Sequence, residues 1–181
     1  GYCYRKGVTK AAREHYEAAV NLKPKFVPGM RDLAVLYYET GEKDRALRVL
    51  RRAREFDPKL REALLELGNA RYRIKKYNGA AAIYELVSRL EPDFSPAYSN
   101  LGSAYRHNLQ FEEGARALKR ALLTEPENAG GYYNLGNLQK EAANMTPSIL
   151  AFRRSIVCRP DEATFHWNLA LALLADGHLL V

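Results

Sequence analysis

"RLEPDFSPAYSNLG", residues 89–102, holds two prolines four residues apart and an Asn-Leu-Gly triplet inside a stretch with helical apolar spacing. Proline ends a helix or occupies its first turn, and it is not tolerated in the middle. Pro92 therefore reads as the stop of one helix and Pro96 as the opening of the next. Asn100 then sits within a helix, where asparagine is unfavourable by roughly 0.5 kcal/mol relative to alanine. That placement needs a compensating role.

The same triplet region recurs at fixed distance. "YYNLGNLQK" at 132–140 and "HWNLALALL" at 166–174 repeat the Asn-Leu pair, and 134 − 100 and 168 − 134 are both 34. Prolines stand at 24, 58, 92, 126 and 160, again 34 apart. Leu33, Leu67, Leu101, Leu135 and Leu169 form a second column, and Ala34, Gly68, Gly102, Gly136 and Ala170 a third. Tyr16, Leu50, Tyr84, Leu118 and Phe152 make a fourth. Small residues fall at Ala12, Ala46, Ala80, Gly114 and Ser148, and no insertion disturbs the phase. A period of this length marks a stacked-repeat architecture. Each unit reads as two helices, for example over about 61–74 and 77–90. Small columns let backbones approach while leucine and aromatic columns fill the space between helices. Thr146-Pro147 reads as a cap followed by a first helical residue. One pair cannot bury its apolar face alone, so neighbours must stack.

These columns resemble those of the tetratricopeptide repeat family: the period, the terminal proline, the Leu-Gly pair, the later tyrosine (Tyr37, Tyr105) and the alanine and aromatic columns. Arg71 and Gln139 depart from the Tyr37/Tyr105 column, and Gly114 and Ser148 from the alanine column. The resemblance implies an all-α fold, a right-handed α-solenoid of stacked helix-turn-helix tetratricopeptide repeats with nine or ten helices. The phase divides 1–181 into a partial repeat 1–26, full repeats 27–60, 61–94, 95–128 and 129–162, and a partial repeat 163–181. Gly1 is expected partway along a first helix, and the C-terminal segment to be a first helix lacking its partner. Both ends fall inside repeats, so the chain is expected to be a piece of something longer.

Composition narrows the function classes. The net charge is +7, yet residues 1–60 hold 14 Lys/Arg against 8 Asp/Glu, while 129–181 hold 4 against 4. "RALRVLRRAR" at 45–54 is the densest basic run. It would attract nucleic acid or an acidic partner, or serve as a solvated helix face. No apolar run approaches the roughly 20 residues of a membrane span, and "GYCYRKGVTK" has no uninterrupted apolar core of a signal peptide. Cys3 and Cys158 are too few for a disulfide framework or a thiolate metal site. His15, His107, His166 and His178 show no metal-ligand spacing, and no phosphate loop, dinucleotide fingerprint or nucleophile elbow occurs. Asn144-Met145-Thr146 is formally a glycosylation acceptor, a triplet that also occurs by chance. No cofactor and no catalytic residue are expected, and the segment reads as non-enzymatic and cytoplasmic.

The asparagines carry the functional reading. In tetratricopeptide arrays the first helix of each pair lines a concave groove. The column Asp32, Glu66, Asn100, Asn134 and Asn168 would then form a polar ladder along it. A carboxamide donates and accepts, which suits the backbone of an extended peptide. Asn69 and Asn137 lie three residues on; Tyr38, Tyr72, Arg106 and Lys140 a further three; Tyr133 and Trp167 sit beside the ladder. Alternatively, the amides tie adjacent helices together. The carboxylate clamp of chaperone-tail binders is missing, because Glu62, Glu66, Pro96 and Asn100 occupy the matching positions. The "AYSNLG" helices resemble arrays preceding the catalytic region of O-linked N-acetylglucosamine transferases and related bacterial glycosyltransferases. The expected function is protein or peptide recognition, as the arm of a larger protein such as a glycosyltransferase. A nucleic-acid-binding helical repeat and a homo-oligomeric scaffold are the alternatives. Self-association through the C-terminal helix is expected from Ala170, Leu171, Leu173 and Leu174.

Overall fold

The computed structural model describes residues 2–177, with the side chains of 7–177. His178 and Leu179–Val181, and the side chain of Cys3, lie outside the described residues. Ten helices occur: α1 (Tyr2–Leu22), α2 (Val27–Glu39), α3 (Lys43–Phe56), α4 (Leu60–Arg73), α5 (Tyr77–Leu90), α6 (Ser95–His107), α7 (Phe111–Thr124), α8 (Ala129–Glu141), α9 (Met145–Cys158) and α10 (Ala163–Ala175). No strand appears among the described residues. Two compact units divide at Pro92 and Asp93. The first holds α1–α5 and the second α6–α10. Within them α2 pairs with α3, α4 with α5, α6 with α7, and α8 with α9. The second unit ends with α10 packed on α9.

The proline column ends every second helix of these pairs by acting one residue upstream. Asp57, Glu91, Glu125 and Arg159 precede Pro58, Pro92, Pro126 and Pro160, and all four are near-extended, with φ between −130° and −148°. The proline ring excludes the helical region for the residue before it. First helices end differently. Gly41, Lys75, Leu109, Ala143 and Gly177 stand 34 apart, all with φ between 60° and 91°. The amide of Gln110 reaches back to the Tyr105 carbonyl at 2.9 Å and that of Leu109 to Arg106 at 3.0 Å. This is the left-handed C-terminal lock that satisfies the last carbonyls of a helix. Three of its five residues are not glycine, so the column is hidden in the sequence.

The core explains the small columns. Leu50, Tyr84, Leu118 and Phe152 are sealed from solvent. A Cβ added at Gly68 would lie 2.6 Å from Tyr84, one at Gly102 2.5 Å from Leu118, and one at Gly136 2.6 Å from Phe152. Each glycine is thus the socket for a large residue 16 positions later. Gly102 and Gly114 also face each other's carbonyl oxygens, at 3.1 and 3.2 Å from their would-be Cβ atoms. Ser148, the departure from the alanine column, is fully buried and donates to the Gly136 carbonyl at 2.8 Å.

Helix α1 runs unbroken from Tyr2 to Leu22. One local expectation is corrected. Helix α9 begins at Met145 with Asn144 as its cap residue, not at Pro147. Pro147 instead occupies the first turn, where amide hydrogens lack helical partners anyway.

Candidate functional site

In the second unit the candidate residues lie on the first helices α6, α8 and α10. Asn168 on α10 is fully engaged: its Oδ1 accepts from Lys140 Nζ at 3.0 Å, and its amide donates to the Tyr133 hydroxyl at 3.2 Å and the Thr164 carbonyl at 3.0 Å. Lys140 also stands 5.9 Å above the Phe152 ring. Tyr133 packs between Phe152 and Phe165, with ring centroids 5.9 and 5.0 Å away. This cluster ties α8, α9 and α10 into one piece, as the helix-tying alternative anticipates for that one amide. Trp167 is left 67% exposed beside it.

Asn100 on α6 and Asn134 and Asn137 on α8 differ. All three are half-buried, and their carboxamides take part in no hydrogen bond with other described residues. Arg106 on the same face of α6 approaches Glu141 of α8, Nε to Oε2 at 3.7 Å, and its Nε is buried without a hydrogen-bond acceptor. His107 next to it is held below its ordinary value, chiefly by burial and secondarily by the Arg106 charge. Ser103 turns back onto the Ser99 carbonyl of its own helix at 3.1 Å.

In the first unit the corresponding column is acidic and the candidate side chains are tied down. Asp32 pairs with the adjacent Arg31 at 2.8 Å, and Glu66 is exposed. Asn69 on α4 accepts from the Tyr84 hydroxyl of α5 at 2.7 Å, and burial pushes Tyr84 up to about 12. Tyr72 meets Tyr77 edge-on at 5.2 Å. Tyr38 is 5% exposed and donates to Glu85 of α5 at 2.5 Å, with its phenol held above the ordinary value by burial and by that carboxylate. The Tyr38 side chain thus turns toward α5, where Glu85 accepts its hydrogen bond.

Sequence reasoning missed a polar network between α1, α2 and α3. The Tyr37 hydroxyl donates to Glu17 at 2.7 Å, Arg13 bridges Glu17 and Glu42 at 2.9 and 2.6 Å, and Arg45 covers the Tyr37 ring at 4.6 Å. The Tyr37 hydrogen bond, then that from Arg13, lowers the Glu17 carboxyl from its ordinary range. Arg71 pairs with Glu39 of α2, which gives the departure from the aromatic column a role. Among the described residues no cluster of His, Cys, Asp and Glu gathers as a metal site, and no helix is long and apolar enough to cross a membrane.

Comparison with known proteins places this geometry in a class. Tetratricopeptide repeat models match residues 5–66 and 62–93, so this part of the chain is built of tetratricopeptide repeats. The chain resembles the crystal structure of MamA at a TM-score of 0.55 and 19% identity, over 89% of this chain and 94% of that one. It resembles the Sgt2 TPR domain from Aspergillus fumigatus at 0.61 and 20%, over 65% and 80%, respectively. For the Arabidopsis OM64 TPR domain the values are 0.59 and 23%, over 63% and 94%. The fold is thus the all-α array of helix-turn-helix repeats. No curated protein matches the sequence.

Proposed function

We propose that the chain is a non-catalytic protein-recognition module that holds an extended peptide backbone against α6 and α8. The single observation that carries this is the set of three unpartnered amides, Asn100, Asn134 and Asn137, on helices that need no asparagine for packing. Each amide offers a donor and an acceptor to a peptide group. Arg106, Lys140 and Tyr133 border them, while Asn168 positions Lys140 and Tyr133 rather than meeting ligand.

A library of unstructured peptides about 12 residues long, panned against the whole chain, supplies the probe. Recovered peptides should lose affinity when alternate backbone amides are N-methylated. Asn100→Ala with Asn134→Ala should weaken binding by about 1–3 kcal/mol, at roughly 0.5–1.5 kcal/mol per hydrogen bond, and leave the melting temperature unchanged or higher. A double variant that melts early and binds normally would make the two amides structural. Membership in a larger glycosyltransferase of the cytoplasm rests on the "AYSNLG" pattern. It predicts that the same double variant lowers transfer to protein acceptors but not to a small free acceptor.

A second reading has its own observation. Trp167, Leu171 and Leu174 are exposed at i, i+4 and i+7 on α10, an apolar strip at the positions that Tyr133, Asn137 and Lys140 hold on α8. A second copy of the chain would cover it. Sedimentation should show concentration-dependent association that Leu171→Ser with Leu174→Ser abolishes.

A further inference from the structure

The second helices of the second unit carry an outward pattern unrelated to the asparagine face. On α7, Arg116, Lys119, Arg120 and Leu123 lie at i, i+3, i+4 and i+7. On α9, one repeat later, Leu150, Arg153, Arg154 and Val157 have the same spacing. That spacing makes one continuous strip on each helix. All eight side chains are exposed, the three aliphatic ones heavily: Leu123 71%, Leu150 58% and Val157 70%. The helices flank one another, since Ala151 of α9 joins the apolar cluster of Ala115, Leu118 and Leu122 of α7.

No carboxylate lies among these eight positions, and Glu112 and Glu113 stand one turn upstream of Arg116. Arg116 reaches Glu113 at 3.2 Å near the start of α7, and Arg120 lies 6.0 Å over the Tyr98 ring. Lys119, Arg153 and Arg154 have no ion-pair partner among the described residues. Like charges three and four residues apart on a helix repel, and bare aliphatic side chains beside them leave apolar surface in water. A merely solvated face requires neither. Between α7 and the α8–α9 turn lies a cleft of about 230 Å³, lined by Phe111, Ala115, Arg116, Lys119, Gln139 and Asn144 together with Glu112. Within it Asn144 donates to Gln139 at 3.0 Å and Arg116 is paired with Glu113, which leaves Lys119 as the cation to meet an incoming carboxylate.

We propose that the outer face of α7 and α9 is a docking surface for an acidic, leucine-bearing segment of a partner protein. Carboxylates of that segment meet Lys119, Arg153 and Arg154, one of them entering the cleft beside Lys119, and its leucines cover Leu123, Leu150 and Val157. The exposed leucine and valine side chains set among the cations favour a peptide carrying apolar side chains over a purely anionic surface.

The test uses the whole chain and a fluorophore-labelled 16-residue peptide of leucine and glutamate at helical spacing, read by anisotropy. Lys119→Glu with Arg153→Glu and Arg154→Glu should weaken binding ~10-fold or more, and Leu123→Ser with Val157→Ser about threefold, because rim charges and a small apolar patch share the affinity. Should the charge-reversed chain fail to fold by circular dichroism, the triple alanine variant at the same positions must still lose several-fold. Asn100→Ala with Asn134→Ala should leave this peptide's binding unchanged, which separates the surface from the asparagine face. Unchanged affinity in the charge variants overturns the proposal. So does equal binding of a lysine-for-glutamate peptide, or tighter binding to phosphatidylserine vesicles or single-stranded RNA than to the acidic peptide.

Discussion

In the unit ending at Pro92, Tyr37, Tyr38 and Tyr84 each send a hydroxyl to a side chain of another helix: Glu17, Glu85 and Asn69. In the unit beginning at Asp93 the positions equivalent to Tyr84 are Leu118 and Phe152, which have no hydroxyl. The glycine socket itself is common to both units, Gly68 receiving Tyr84 as Gly102 receives Leu118 and Gly136 receives Phe152. Ion pairs follow the same division. Arg13 with Glu42, Arg61 with Glu91 and Arg71 with Glu39 join different helices of the first unit. In the second, Arg106 of α6 approaches Glu141 of α8 at the longer distance of 3.7 Å. One repeat pattern thus supports two kinds of cohesion. The amides of Asn100, Asn134 and Asn137 lack partners in the second unit, whereas Asn168 there is held by Lys140 and Tyr133 and Asn69 in the first unit by Tyr84.

The largest effect should come from emptying a socket. Phe152→Ala should cost the second unit about 3–5 kcal/mol in urea unfolding, as for other fully buried aromatics. Tyr84→Phe in the first unit removes only a hydroxyl and should cost about 0.5–1.5 kcal/mol. Equal losses would erase the distinction between the units. Overfilling comes next: Gly102→Ala drives a methyl against Leu118 and the Gly114 carbonyl, and should cost about 1–3 kcal/mol.

A third substitution should treat both units alike. Leu109 and Lys75 hold the left-handed conformation at equivalent turns, with φ 60°. Leu109→Gly and Lys75→Gly should each stabilise by about 0.5–1 kcal/mol, the strain relieved less the added freedom of the unfolded chain. A stabilisation confined to one unit would show that the turns differ more than their dihedral angles.

Acid should loosen the units in different windows, read by amide hydrogen exchange. The His107 value is depressed in the folded state, so the unfolded chain binds the proton first. Its contribution is present above its ordinary value near 6.5 and fades as pH falls through the lower folded value. Exchange around α6 and α7 should therefore quicken as pH falls below about 6.5, and His107→Gln should remove that dependence. The Glu17 value is depressed from 4.5, so α1 and α2 should hold until the pH falls below that and loosen only as the folded value is passed. Tyr37→Phe should move this loosening to higher pH.

Much of this architecture could be read one residue at a time. The proline column carries helix ends because the steric effect of proline on its predecessor is local. The glycine and aromatic columns carry packing because their volumes must match across each hairpin. The left-handed turn column escaped notice since Lys75, Leu109 and Ala143 occupy it, and only Gly41 and Gly177 advertise the conformation.

What the sequence determined by itself was periodicity: a 34-residue unit, its two helices and the faces they bury. The partners of polar side chains were decided only in three dimensions. Asn134 and Asn168 hold the same place in the repeat, each followed by a leucine, yet Asn168 is bound and Asn134 is free. The residues 28 and 35 positions before Asn168 are Lys140 and Tyr133, which reach it. Those before Asn134 are Arg106, drawn toward Glu141, and Ser99, which has no ring to carry a hydroxyl that far. A hydrogen bond needs both ends within about 3 Å. Repeat spacing fixes where the backbone goes, but the length and charge of a neighbour on another helix decide whether an amide is left over.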